Sequence, residues 1–214
     1  MRAAILVAWL AAVALLRAAP IAHDLMDVST IRPPLLEEIR YATKYNFTGE
    51  QLYPFPAAYV HRDVAVALAA IQDDLAREGL GLKIYDGYRP LSVQQKMWDL
   101  IRDERYVSNP AVNKGRHTRG TAVDVTLVDK HGNELPMPSP FDDFTEAAHR
   151  DSTKMSPVQR ANMQKLQEAM VRRGFEPYPF EWWHYDFHNW KSYPVLDISF
   201  DELAADVKTS QSRK

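Results

Sequence analysis

Three short segments of this 214-residue chain hold the side chains whose types and spacing could do chemistry. In the first, Gly115-Arg-His-Thr-Arg-Gly-Thr-Ala-Val-Asp124, His117 precedes Asp124 by seven residues. Seven residues cover about 23 Å extended and about 10 Å as a helix. Zinc, by contrast, holds a His nitrogen and a carboxylate oxygen each within about 2.0–2.2 Å of one point. The two can share an ion only if the chain reverses between them, and Gly120 permits that. Asp124 sits between Val123 and Val125, where an aspartate is costly to bury unless it is paired or ligates a metal. The plain alternative is an aspartate on an edge strand facing water.

The second segment is Glu181-Trp-Trp-His184-Tyr-Asp186-Phe187. Pro177 and Pro179 argue against helix, and the aromatic run favours a strand, in which positions 181 and 184 point to opposite faces. Glu181 therefore belongs on the turn that leads into the strand and His184 within it, an arrangement suited to a base beside a metal ligand; alone, such a run also fits core packing. The third segment, Asp86-Gly-Tyr-Arg89-Pro90, joins a predicted strand to a predicted helix, a usual place for a functional side chain. Arg89 there could bind a carboxylate or stabilise an oxyanion, or simply neutralise Asp86.

Composition narrows the chemistry. The chain has no cysteine, which excludes disulfides, a cysteine nucleophile and a cysteine-ligated zinc finger. Any metal must be held by Asp, Glu and the seven histidines, of which His131, His149 and His188 lack a partner motif and read as surface or packing residues. With 26 basic and 28 acidic residues there is no excess of positive charge for a nucleic-acid backbone. The mixture, 46% hydrophobic and 25% charged, is that of an ordinary globular protein.

The elements that must position these side chains read as one α+β domain: a small, largely antiparallel sheet packed against helices. Val60, Val64, Leu68, Ile71 and Leu75 recur at helical spacing and predict a helix over 58–79. Leu82–Asp86, Thr121–Val128 and Trp182–Phe187 read as strands. Ser92…Gln95 and Ser156…Gln159 fit capping boxes that open helices to about Arg102 and Arg173. Residues 29–56 read as an extended segment, 129–155 as a loop-rich insertion, and the polar tail after about 202 is expected to fray.

Residues Ala3–Leu16 are unbroken apolar sequence flanked by Arg2 and Arg17, too short to span a bilayer and consistent with a signal peptide or anchor over 1–22, although no clean cleavage site follows. Export to the periplasm or cell envelope is the expectation, with the functional domain over 23–214; a cytoplasmic protein is the alternative.

The chain also resembles the zinc D-alanyl-D-alanine peptidase family, and within it the D-Ala-D-Ala dipeptidases. Tyr41-Ala-Thr-Lys-Tyr-Asn-Phe-Thr-Gly49, Asp86-Gly-Tyr-Arg-Pro90, His117-Thr-Arg-Gly-Thr-Ala-Val-Asp124, Phe141-Asp142 and Glu181-Trp-Trp-His184 occur in the family's order over about residues 28–200. The resemblance implies one Zn2+ held by His117, Asp124 and His184, and Glu181 as catalytic base. It further implies Arg89 near the reacting carbonyl, Asp142 near the substrate ammonium and Tyr41 lining the pocket. The implied substrate is a D,D-dipeptide, with no nucleic acid and no membrane partner beyond an N-terminal anchor. Carboxypeptidase or endopeptidase action on longer wall peptides is the alternative, and a non-catalytic zinc module is a more distant one. One departure is Gly115, where the family usually has serine; it bears on a substrate hydrogen bond rather than on the metal.

Overall fold

The computed structural model describes residues 23–211, and the leader expected over 1–22 lies outside them. Seven strands and four helices are described: β1 (Leu25–Asp27), β2 (Leu36–Glu37), β3 (Tyr59–His61), α1 (Arg62–Ala76), β4 (Leu80–Asp86), α2 (Leu91–Leu100), β5 (Ala122–Asp129), α3 (Pro157–Val171), β6 (Phe175–Pro177), β7 (His184–Phe187) and α4 (Phe200–Gln211). The main sheet has the order β2-β4-β5-β7-β6, and β1 pairs with β3 in a separate ribbon. Only β2–β4 is parallel; the other pairs are antiparallel, so the α+β expectation stands.

The core gathers Val64, Leu68, Ile71 and Leu75 of α1, Met163, Leu166 and Met170 of α3, and Val123, Val125 and Leu127 of β5. The same alternation that sends those β5 side chains one way sends Asp124 the other. Asp124 is not on an edge, because β5 lies between β4 and β7. Register then does the positioning: Asp86 lies opposite Asp124, and Asp124 opposite His184, so one row of side chains crosses three strands. A bulge between Ile84 and Asp86 re-aims the end of β4 at that row.

Several local expectations are corrected. The first helix starts at Arg62, because Val60 and His61 pair in β3 and the His61 ring accepts the Asp63 amide as a cap. Ser92 is not a cap: α2 opens at Leu91 behind Pro90, and the Ser92 amide donates to Asp197. Ser156 and Gln159 do form the reciprocal capping box at α3. The tail does not fray after 202, because α4 runs to Gln211 and anchors Phe200 and Leu203 in the core. The segment 29–56 contains β2 and two 3₁₀ turns rather than plain extended chain. No helix among the described residues is long and apolar enough to cross a membrane.

Candidate metal centre and substrate pocket

The chain between His117 and Asp124 reverses as the spacing requires. His117–Arg119 is a single 3₁₀ turn closed by Gly120 at φ 66°. A Cβ there would lie 2.5 Å from Leu25 Cδ2 and 3.0 Å from the His61 amide nitrogen, so glycine is needed for space as well as for conformation. The turn puts His117 Nε2 3.5 Å from Asp124 Oδ1 and 3.2 Å from His184 Nδ1, and His184 Nδ1 lies 3.0 Å from Asp124 Oδ1. Three ligand atoms at tetrahedral positions around zinc at 2.0–2.2 Å would stand about 3.3–3.6 Å apart. All three residues are buried.

The outer ring nitrogens are engaged. His117 Nδ1 donates to the Gly87 carbonyl at 2.7 Å, and His184 Nε2 donates to Asp186 Oδ1 at 2.9 Å. With those protons outward, two imidazole lone pairs and one carboxylate converge on one buried point, and such a donor set requires a cation. In the metal-free chain a proton serves instead. Burial lowers the pKa of His184, but the Asp186 and Asp124 carboxylates outweigh burial and raise it to about 10. Burial pushes the Asp124 carboxyl up, yet the facing imidazoles hold it below the usual range. The donor set fits zinc.

Glu181 stands on the turn before β7, with Oε2 3.8 Å from His184 Nδ1. Burial raises its pKa well above the ordinary glutamate value, and the charges of Asp124 and Asp142 add to that. Arg89 does neutralise Asp86, donating from Nε and Nη2 to Oδ2 at 3.2 and 2.8 Å. It also lines the pocket, with Nη1 on Gln94 Oε1 at 2.9 Å and its guanidinium 5.2 Å from the centre of the Tyr41 ring. Neutralising Asp86 therefore does not take this arginine out of the pocket. Asp142 has φ 63°, a strained backbone for an aspartate, and accepts Tyr41 Oη at 2.9 Å. Burial lifts its pKa to about 7 despite the tyrosine hydrogen bond. Phe47 packs at a tilt on Phe144, which stacks on Tyr106, and the three wall the pocket beside it. All seven residues singled out in the sequence thus line one pocket.

The sequence did not disclose Arg150. From the 129–155 segment it donates to the carbonyls of Tyr178, Trp182 and His184 at 2.7, 2.9 and 3.1 Å, bracing the turn that carries Glu181. Nothing in its local pattern marks it. Nor does the sequence mark Gln94, which links Arg89 to the Ser108 carbonyl. Of the three unassigned histidines, His149 meets Tyr106 Oη at 3.0 Å and His188 packs on Phe187, in keeping with packing roles.

The whole chain can be compared with known proteins. A family described as D-ala-D-ala dipeptidase matches residues 21–201. The D-alanyl-D-alanine dipeptidase of Escherichia coli K12 is 37% identical over 177 residues, 83% of this chain and 91% of that protein. That of Enterococcus faecium is 32% identical over 171 residues, 69% of this chain and 83% of its own. Among solved structures, the LdcB LD-carboxypeptidase overlaps 79% of this chain and 70% of its own, at 19% identity and TM-score 0.45. A match that runs from ahead of β1 into α4, with relatives aligned over most of their length, makes this chain a member of the D-Ala-D-Ala dipeptidase family.

Proposed function

We propose that the protein is a zinc-dependent dipeptidase that hydrolyses D-Ala-D-Ala to two D-alanines in cell-wall peptide metabolism. The observation that carries this is the convergence of His117, Asp124 and His184, with Glu181 beside them and Asp142 lining the same pocket. One zinc per chain would be held by the two histidines and Asp124, supplying Lewis-acid activation of water and of the scissile carbonyl. Glu181 accepts the proton of the attacking water and passes it to the leaving amine; its burial makes it a strong acceptor once ionised. Arg89 keeps N–H groups beyond those given to Asp86 and Gln94, and these stabilise the oxyanion of the tetrahedral intermediate. Asp142, oriented by Tyr41, receives the peptide's ammonium.

Asp142 also favours a free dipeptide over a longer wall peptide. A longer chain would present an amide where the dipeptide presents an ammonium, leaving the half-buried Asp142 carboxylate without its counter-charge. Family membership supports the same substrate. The apolar run Ala3–Leu16 supports export to the periplasm or envelope, tested by fractionation and N-terminal sequencing of the mature protein. For the activity, the purified protein is assayed on D-Ala-D-Ala, L-Ala-L-Ala and a D-Ala-D-Ala-terminated pentapeptide, with chelator and with zinc restored. Zinc-dependent cleavage of the D,D-dipeptide alone is expected. Cleavage of the pentapeptide would instead make the protein a carboxypeptidase, and zinc uptake without cleavage would make it a binding module.

A further inference from the structure

We propose that Arg116 and Asp186 are positioning residues of the metal centre: Asp186 fixes the ring orientation and tautomer of His184, and Arg116 holds Asp186. The proposal rests on the zinc reading above and extends it to two residues that touch neither metal nor peptide in that reading. His184 and Asp186 are two apart on β7, hence on the same face of the sheet. Oδ1 of Asp186 accepts His184 Nε2 at 2.9 Å, and Oδ2 lies 3.1 Å from Arg116 Nε. That Nε is buried and makes no aligned hydrogen bond, so the ion pair is its only polar engagement among the described residues. The guanidinium is held in turn over Trp190 at 4.8 Å and over Tyr178 at 5.6 Å.

The arrangement is asymmetric across the site. His117 hydrogen-bonds the neutral Gly87 carbonyl through its outer nitrogen, with Asp86 Oδ2 farther off at 3.8 Å, and faces the centre with Nε2. His184 has an anionic partner and faces the centre with Nδ1. A carboxylate behind a ligand imidazole raises its basicity and fixes which nitrogen carries the proton, and loss of such a partner costs roughly 10- to 100-fold in metal affinity. Arg116 stops the Asp186 carboxylate from turning away to other partners. Its position directly before His117 ties the two ligand segments together.

The test is zinc affinity, read by competition with a chromophoric chelator, together with melting of the zinc-free protein. Asp186→Asn is expected to bind zinc roughly 10- to 100-fold more weakly, with KM for the dipeptide little changed at saturating zinc; the zinc-free protein melts lower as well, because the buried carboxylate that faces His184 loses its charge. Arg116→Gln is expected to weaken zinc binding less, and Arg116→Lys to restore part of the loss. In the double variant Arg116→Gln should add nothing to Asp186→Asn, because it acts through Asp186. Nitrogen NMR of the His184 ring in the zinc-loaded protein reads the bond to Asp186 directly: the Nε2 resonance should carry the signature of a proton shared with a carboxylate in the wild type and lose it in Asp186→Ala. Wild-type zinc affinity in Asp186→Asn, or additive effects in the double variant, overturns the proposal. A wild-type protein that takes up no zinc overturns the zinc reading itself, and this proposal with it.

Discussion

Replacing Asp142 with asparagine should have opposite consequences for stability and for binding. Burial raises the Asp142 pKa to about 7 in the metal-free protein, against about 3.9 for an unfolded aspartate. Between those two values the folded state holds a proton that the unfolded state has lost. Stability from this group is therefore highest below about pH 4, falls as pH rises toward 7, and stays low above it. Three pKa units correspond to about 4 kcal/mol as an upper limit. In chelator-treated protein Asp142→Asn should thus match the wild type at pH 4 and exceed its unfolding free energy at pH 8 by a few kcal/mol, up to that limit. Activity should move the other way. The ammonium needs an ionised carboxylate, so the wild-type KM should rise as pH drops below 7; the bound cation shifts that limb somewhat lower. The asparagine variant should show a raised KM with the limb gone. Urea unfolding at pH 4, 6 and 8 and a KM profile over the same range decide the matter. Parallel stability curves for the two proteins, or a wild-type KM flat from pH 5 to 7, would refute the reasoning.

Two further substitutions separate the parts of the site. Glu181→Gln should retain zinc, measured by metal analysis, while kcat falls by a factor on the order of 10²–10⁴; undiminished turnover would remove Glu181 from the base role. Arg150→Ala strips donors from three carbonyls of the 178–184 turn and from Tyr185 Oη, and should cost about 2–4 kcal/mol in stability. Its kcat should fall more than its KM rises, because the turn carries Glu181; an Arg150→Ala protein with wild-type melting and kcat would contradict the bracing role.

Only the reversal between His117 and Asp124 was legible from local chemistry; the full set of ligands, with Glu181, Asp142 and Tyr41, came from the resemblance to the family. An aspartate between two valines and a glycine seven residues or fewer from a histidine can be read without coordinates, and the reversal at Gly120 is what those residues require. The row Asp86–Asp124–His184 was not legible, because register depends on which strands become neighbours, and no short window carries that. Arg150 failed for the same reason: its partners lie about thirty residues away and are backbone carbonyls, which have no sequence signature. Ser92 shows the opposite error. Its spacing to Gln95 satisfies a capping box, but Pro90 at the helix start and Asp197 at its amide supply the capping from elsewhere. The tail looks frayed in the sequence because α4 has few apolar residues, whereas the helix is held by Phe200 packing on Tyr53, Phe55 and Tyr59.

Charge balance links the metal to the substrate. The pocket and its immediate surround hold the carboxylates of Asp86, Asp124, Asp142, Glu181 and Asp186 against the guanidiniums of Arg89 and Arg116. In the metal-free chain the deficit is met by protons: His184 holds one up to about pH 10, Glu181 holds one well above the usual glutamate range, and Asp142 titrates near 7. These are the groups that face the zinc position or the peptide's ammonium in the proposed function. Zinc binding must therefore expel protons, because His184 can offer Nδ1 only when that nitrogen is bare. At pH 8 calorimetric titration of zinc into chelator-stripped protein, repeated in buffers of different ionisation enthalpy, should show release of at least one proton per zinc. The His184→Ala protein should release fewer and bind far more weakly. Binding without proton release at pH 8 would mean that the imidazole was already bare, and the account of how this pocket balances its charge would fail.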